Sequence, residues 1–158
     1  MAARRISHQI DYEDCAAADL SADERALCAA ATEATRLAYA PYSAFRVGAA
    51  ARLAGGTLVR AANLENGAYP QCLCAEATLL GACHTQHHDA RIEAIAVAVD
   101  SGRSDQGVAA PCGSCRQQLF EAERRMDAPI RVYLVKADGG AYRFANVSDL
   151  LPLGFVLR

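Results

Sequence analysis

Apolar and polar positions along the chain change period several times, and each change marks an element. Leu27, Ala30, Ala34, Leu37 and Ala38 recur at helical spacing. Ser21 and Glu24 precede this run as a capping box, a hydroxyl and a carboxylate that satisfy free backbone donors of a first helical turn. Ala40-Pro41 closes the helix, because the residue before proline is pushed out of the helical region. Phe45, Val47, Ala49, Ala51 and Leu53 then alternate, which predicts a strand with one buried face. Gly55-Gly56 supplies a hairpin turn into a second strand over residues 57–62.

Residues 63–73 mix asparagine, glutamate, glycine, tyrosine and proline, and predict a structured loop. A short helix follows over residues 75–84, with Leu79, Leu80 and Cys83 apolar. Residues 92–99 are almost continuously apolar, as expected of a strand covered on both faces. A polar surface loop at 101–107 leads to a helix over residues 113–125 carrying Leu119, Phe120 and Ala122. Ile130, Val132 and Leu134 alternate as a strand, and Asp138-Gly139-Gly140 turns into a last strand around residues 142–144. This order predicts a single α/β domain over residues 19–158, a three-layer α/β/α sandwich with a five-stranded mixed sheet. Residues 1–18 precede it as an arm whose order the pattern does not give; a strand or a subunit contact are among its options.

Composition narrows the function. The length of 158 residues suits one domain, and 53% hydrophobic with 22% charged residues describes a folded chain. A net charge of −2 and the lack of tryptophan argue against nucleic acid or an anionic membrane as partner. Residues 1–18 hold no apolar core of a signal peptide, and no stretch approaches a membrane span, so a cytoplasmic location is expected. Seven cysteines cannot all pair within one chain, and in a reducing compartment clustered cysteines more often bind metal or do chemistry.

The cysteines form a pattern: Cys74-Ala75-Glu76, then Pro111-Cys112-Gly113-Ser114-Cys115. Each group sits at a predicted helix start, where free N–H groups and the helix dipole favour thiolate. Three thiolates from two adjacent helix starts, Cys74, Cys112 and Cys115, can hold a zinc ion and leave its fourth position open to water, which marks a catalytic site. Glu76 lies two residues beyond Cys74, close enough to take and return the proton of that water. This is the zinc deaminase signature. Cys72 lacks the right spacing to Glu76, and Cys15, Cys28 and Cys83 read as small buried residues. His84, His87 and His88 read as helix-end residues rather than ligands.

Further motifs, in order, are residues 40–50 (APYSAFRVGAA), Asn63-Leu64-Glu65-Asn66, Arg116-Gln117 after Cys115, and residues 150–155 (LLPLGF). Together with the cysteine groups they resemble the small homotetrameric cytidine deaminases over residues 20–155. The resemblance implies one zinc ion per subunit on Cys74, Cys112 and Cys115, and Glu76 as proton shuttle. It implies that Asn63 and Glu65 hydrogen-bond the ribose, and that Phe45 packs against the pyrimidine. It also implies that the N–H near Ala75 binds the pyrimidine carbonyl, while a carbonyl near Ala110 takes the amino group. Phe155 resembles an aromatic inserted into a neighbouring subunit's site, and Tyr69 one placed near subunit contacts. The implied reaction is hydrolytic deamination of cytidine and 2'-deoxycytidine in pyrimidine salvage. One departure is Ala77, where many three-cysteine members carry an arginine that offsets the thiolate charge; the two helix dipoles, Arg116 or an arginine reaching in from elsewhere should compensate, and Arg116 is expected to contribute. A deaminase of another cytosine-bearing nucleoside such as blasticidin S, a nucleic-acid deaminase and a non-catalytic zinc-binding protein are the competing readings. The Asn63/Glu65 pair, the net charge and the intact Glu76, respectively, speak against them.

Overall fold

In the computed structural model, which describes residues 3–102 and 107–157, the capping box at Ser21 forms. Ser21 Oγ accepts from the Glu24 N–H at 3.2 Å, and the Glu24 carboxylate accepts from the Ser21 N–H at 2.8 Å. Helix α1 (Ala22–Ala34) follows and tightens into a 3-10 turn at Thr35–Leu37, ending before Pro41 as expected. The middle of the predicted 101–107 loop (103–106), residues 1–2 of the arm and the last residue of the predicted domain lie outside the described residues.

Six strands form one mixed sheet: β1 (Glu13–Cys15), β2 (Arg46–Leu53), β3 (Leu58–Ala62), β4 (Ile92–Asp100), β5 (Arg131–Val135) and β6 (Ala141–Phe144). Their spatial order is β1-β6-β5-β4-β2-β3, with β4 and β5 parallel and every other pair antiparallel. The expectation of five strands is corrected by β1, which lies within residues 1–18 and pairs with β6. Its sequence, Glu-Asp-Cys, is too short and polar to show a period. Partners distant in sequence specify it instead: Glu13 pairs with Arg143, Asp14 with Lys136 at 2.7 Å, and the ring of Tyr12 stacks on Phe144.

Helices α2 (Ala75–Gln86) and α3 (Gly113–Met126) complete the three layers. On β4, Ile95 and Val97 pack with Leu79 of α2 and Leu119 of α3, while Ala94, Ala96 and Ala98 face the α1 side with Leu27 and Ala31. The unbroken apolar run of this strand therefore serves two cores. The α1 face is built from small residues because the helix lies close to the sheet. At Gly48 on β2 an added Cβ would stand 2.1 Å from the Ala31 carbonyl oxygen and 2.6 Å from the Thr35 nitrogen. Only glycine allows that approach.

Candidate active site

The site stands where the starts of α2 and α3 meet. Cys74 is the N-cap residue of α2 and Cys112 that of α3, while Cys115 lies in the first turn of α3. Their three sulfurs lie within 4.8 Å of one another. Among the described residues no other three His, Cys, Asp or Glu side chains converge in this way. Tetrahedral zinc with Zn–S of about 2.3 Å sets thiolates about 3.8 Å apart, a spacing compatible with this cluster.

The electrostatics of the three sulfurs differ. The Cys115 N–H donates to the Cys112 sulfur and, with help from the Ser114 N–H, lowers that thiol below its ordinary value. Burial raises the Cys115 thiol, and the negative charges of Glu76 and Cys74 raise it further. Burial also raises Cys74, so the expectation that a helix start lowers a thiol pKa holds at Cys112 and fails at Cys74. A divalent cation held by all three would reverse the penalty at Cys74 and Cys115, since metal-bound thiols are deprotonated. The donor set therefore fits a zinc ion.

Glu76 follows Cys74 by two residues, and its side chain turns inward at 5% exposure. Burial raises its carboxyl above the ordinary range, partly offset by its own N–H and by the Cys115 thiol. A carboxylate raised in this way is a stronger proton acceptor than an ordinary one.

The same cavity, about 390 Å³, is lined by Phe45, Asn63, Glu65, Ala75, Ala110, Glu76 and the three cysteines. That volume suits a small molecule. Three larger depressions of about 440, 660 and 680 Å³ contain none of these cysteines. Asn63 Oδ1 accepts from the Val47 N–H at 2.8 Å, and its Nδ2 donates to the Phe45 carbonyl at 2.9 Å. The Glu65 carboxylate accepts from the Tyr42 N–H at 2.8 Å, the Ser43 N–H at 3.4 Å and the Ser43 hydroxyl. The Ser43 hydroxyl, then the Tyr42 N–H, hold Glu65 below the usual carboxylate value. Glu65 is thus an acceptor only.

The other sequence candidates are dispersed. Cys72 borders the cavity but its sulfur accepts from the Asn66 N–H at 3.2 Å, outside the thiol cluster. Cys15, Cys28 and Cys83 are buried in the cores. None of His84, His87 and His88 joins the cluster; the His87 N–H caps α2 on the Cys83 carbonyl. Arg116 directs Nε to the Pro111 carbonyl at 2.8 Å and Nη1 to the Leu150 carbonyl at 3.0 Å, so these two donors hold backbone rather than thiolate. Phe155 stands apart from the cavity, 67% exposed, with its backbone pinned by both ends of the Gln117 amide at 2.9 and 3.0 Å. Tyr69, by contrast, lines the cavity; it is exposed and lies against the Tyr42 ring.

Two residues escaped the sequence reading. Ser43 sits inside the Tyr-Ser-x-Phe motif, where its short hydroxyl before a turn was the available signal. Glu123, buried on α3, accepts from the N–H groups of Ile130, Val147 and Ser148 and from the Ser148 hydroxyl. Nothing local distinguishes it from a surface glutamate.

Three thiols and a buried carboxyl at the starts of two helices packed on a mixed sheet define a zinc-dependent deaminase. Residues 21–128 match the family described as the cytidine and deoxycytidylate deaminase zinc-binding region. The chain belongs to this cytidine deaminase family. It is 38% identical to a cytidine deaminase of Halalkalibacterium halodurans, across 84% of this chain and 94% of that one. It is 40% identical to a cytidine deaminase of Mycobacterium tuberculosis, across 80% of this chain and 85% of the other. A crystal structure of cytidine deaminase from Burkholderia pseudomallei superposes with a TM-score of 0.69 at 38% identity, covering 82% of this chain and 97% of that one.

Proposed function

We propose that the protein hydrolyses cytidine and 2'-deoxycytidine to uridine and 2'-deoxyuridine, releasing ammonia, as a cytoplasmic step of pyrimidine salvage. The observation that carries this is the placement of buried Glu76 beside three converging thiols in one cavity with Phe45, Asn63 and Glu65. Cys74, Cys112 and Cys115 would hold the zinc ion, one per subunit, which when bound supplies a water activated for attack near neutral pH.

Glu76 takes a proton from the attacking water at its carboxylate and delivers it to N3 of the cytosine ring. The C4–O bond forms as N3 gains its proton, and the second proton passes through Glu76 to the departing amino group. The C4–N bond then breaks and ammonia leaves. Phe45 packs against the base, and the Ala75 N–H and the Ala110 carbonyl orient its carbonyl and amino group. Asn63 and Glu65 bind the sugar, which fixes C4 within reach of Glu76. An ionised Glu65 requires that the sugar donate, which a hydroxyl does. The exposed, backbone-pinned Phe155 supports a homotetramer in which this ring enters a neighbouring subunit's cavity, with Tyr69 near the subunit contact.

Ultraviolet monitoring of cytidine, deoxycytidine, adenosine, blasticidin S and single-stranded DNA, with ammonia and zinc assayed in parallel, tests the assignment. Turnover of the first two is expected. Zinc-loaded protein that acts only on another of these substrates, or on none, would overturn it.

A further inference from the structure

Phe45 and Val47 line the cavity, and both residues assigned to the sugar hold the backbone of the segment 42–47 that carries them. Asn63 ties the Phe45 carbonyl and the Val47 N–H. Glu65 ties the Tyr42 and Ser43 N–H groups. Between them the chain passes through Ala44 at φ +56°, the left-handed region that alanine seldom adopts. A turn of that kind persists only where its surroundings hold it.

Ser43 supplies the remaining link. Its hydroxyl donates to Glu65 Oε1, and its oxygen accepts from the Phe45 N–H at 3.0 Å. Carboxylate, hydroxyl and amide thus form one unbroken chain from Glu65 to the backbone of Phe45. Tyr42 and Ser43 N–H groups occupy Glu65 Oε2, so the carboxylate cannot move without moving the turn.

We propose that Ser43 is a positioning residue that couples the sugar-binding carboxylate of Glu65 to the aromatic wall at Phe45, so that sugar recognition and base packing are set together. This rests on the roles assigned above to Phe45 and Glu65. Ser43 itself touches no reacting atom. Loss of its hydroxyl leaves the Phe45 N–H without its acceptor and Glu65 Oε1 without its donor.

The test is a kinetic cycle on cytidine with Ser43→Ala, Glu65→Gln and the double variant, plus Ser43→Thr. A hydrogen bond to a charged group corresponds to roughly tenfold or more in binding, so Ser43→Ala is expected to lower kcat/KM about tenfold through KM. The double variant should fall within about twofold of Glu65→Gln, because coupled residues are not additive. Ser43→Thr, which keeps the hydroxyl, should recover most of the loss, a rescue that a purely structural role would not produce. Independent, multiplying losses, an unchanged KM in Ser43→Ala or failure of the threonine rescue would overturn the coupling. An unchanged KM in Glu65→Gln would instead remove the sugar assignment, and the coupling with it.

Discussion

Glu24 stands where α1, β5 and β6 meet, and acid should find it. Its carboxylate accepts from the Tyr133 hydroxyl at 2.6 Å, from Arg143 Nη1 at 3.1 Å and from the Ser21 N–H at 2.8 Å. Burial on its own would raise its pKa; the Tyr133 hydroxyl, Ser21 and Arg143 outweigh burial and lower it from 4.5 to about 2. The folded value is depressed, so the contribution is present above the unfolded pKa near 4.5 and is lost as pH falls toward 2. The shift corresponds to about 3 kcal/mol, which solvent screening of the partly exposed Arg143–Glu13 side reduces to about 2 kcal/mol. Urea unfolding of the wild type and Glu24→Gln between pH 7 and pH 3 checks this by difference, which cancels the other titrating groups. The wild type should exceed the variant by about 2 kcal/mol at pH 7, and by about half of that at pH 3. Parallel stability curves, with a gap that does not close on acidification, would refute the depressed-carboxylate reasoning.

Two further outcomes bear on the site and its scaffold. Glu76→Gln should retain a full complement of zinc by metal analysis while kcat falls by about 10³-fold, the scale of general acid–base catalysis. Substantial turnover in that variant would show that Glu76 is not the proton shuttle. Gly48→Ala should destabilise the fold by about 2–3 kcal/mol, since the new Cβ meets backbone atoms of α1 that cannot turn aside. Calorimetry should register this as a melting temperature lower by roughly 5–10 °C.

Much of the scaffold is legible because its signals are local. The Ser21/Glu24 box, the Gly55-Gly56 turn and the two-sided apolar run of β4 each declare a conformation within a few residues. The three thiols able to hold a metal and the buried carboxyl beside them are legible for the same reason: Cys74 with Glu76, and Cys112 with Cys115, are two or three positions apart at helix starts. What remained hidden depends on partners far along the chain. Strand β1 is held by Arg143, Lys136 and Phe144, more than a hundred residues away, and has no period of its own. Ser43 acquires its place only when Glu65 folds back against it, and buried Glu123 only when β5 and the chain after β6 bring four donors to it.

The sequence by itself determined the three helices, five of the six strands, the three clustered thiols and the carboxyl beside them, because short spacings dictate which side chains share a turn. Only the tertiary structure decided that Cys72 stays outside the thiol cluster, that Arg116 turns two donors to backbone carbonyls, and that Cys74 is raised where Cys112 is lowered. Those outcomes follow from burial and hydrogen-bond direction. Both are properties of which surfaces meet, and no spacing along the chain encodes them.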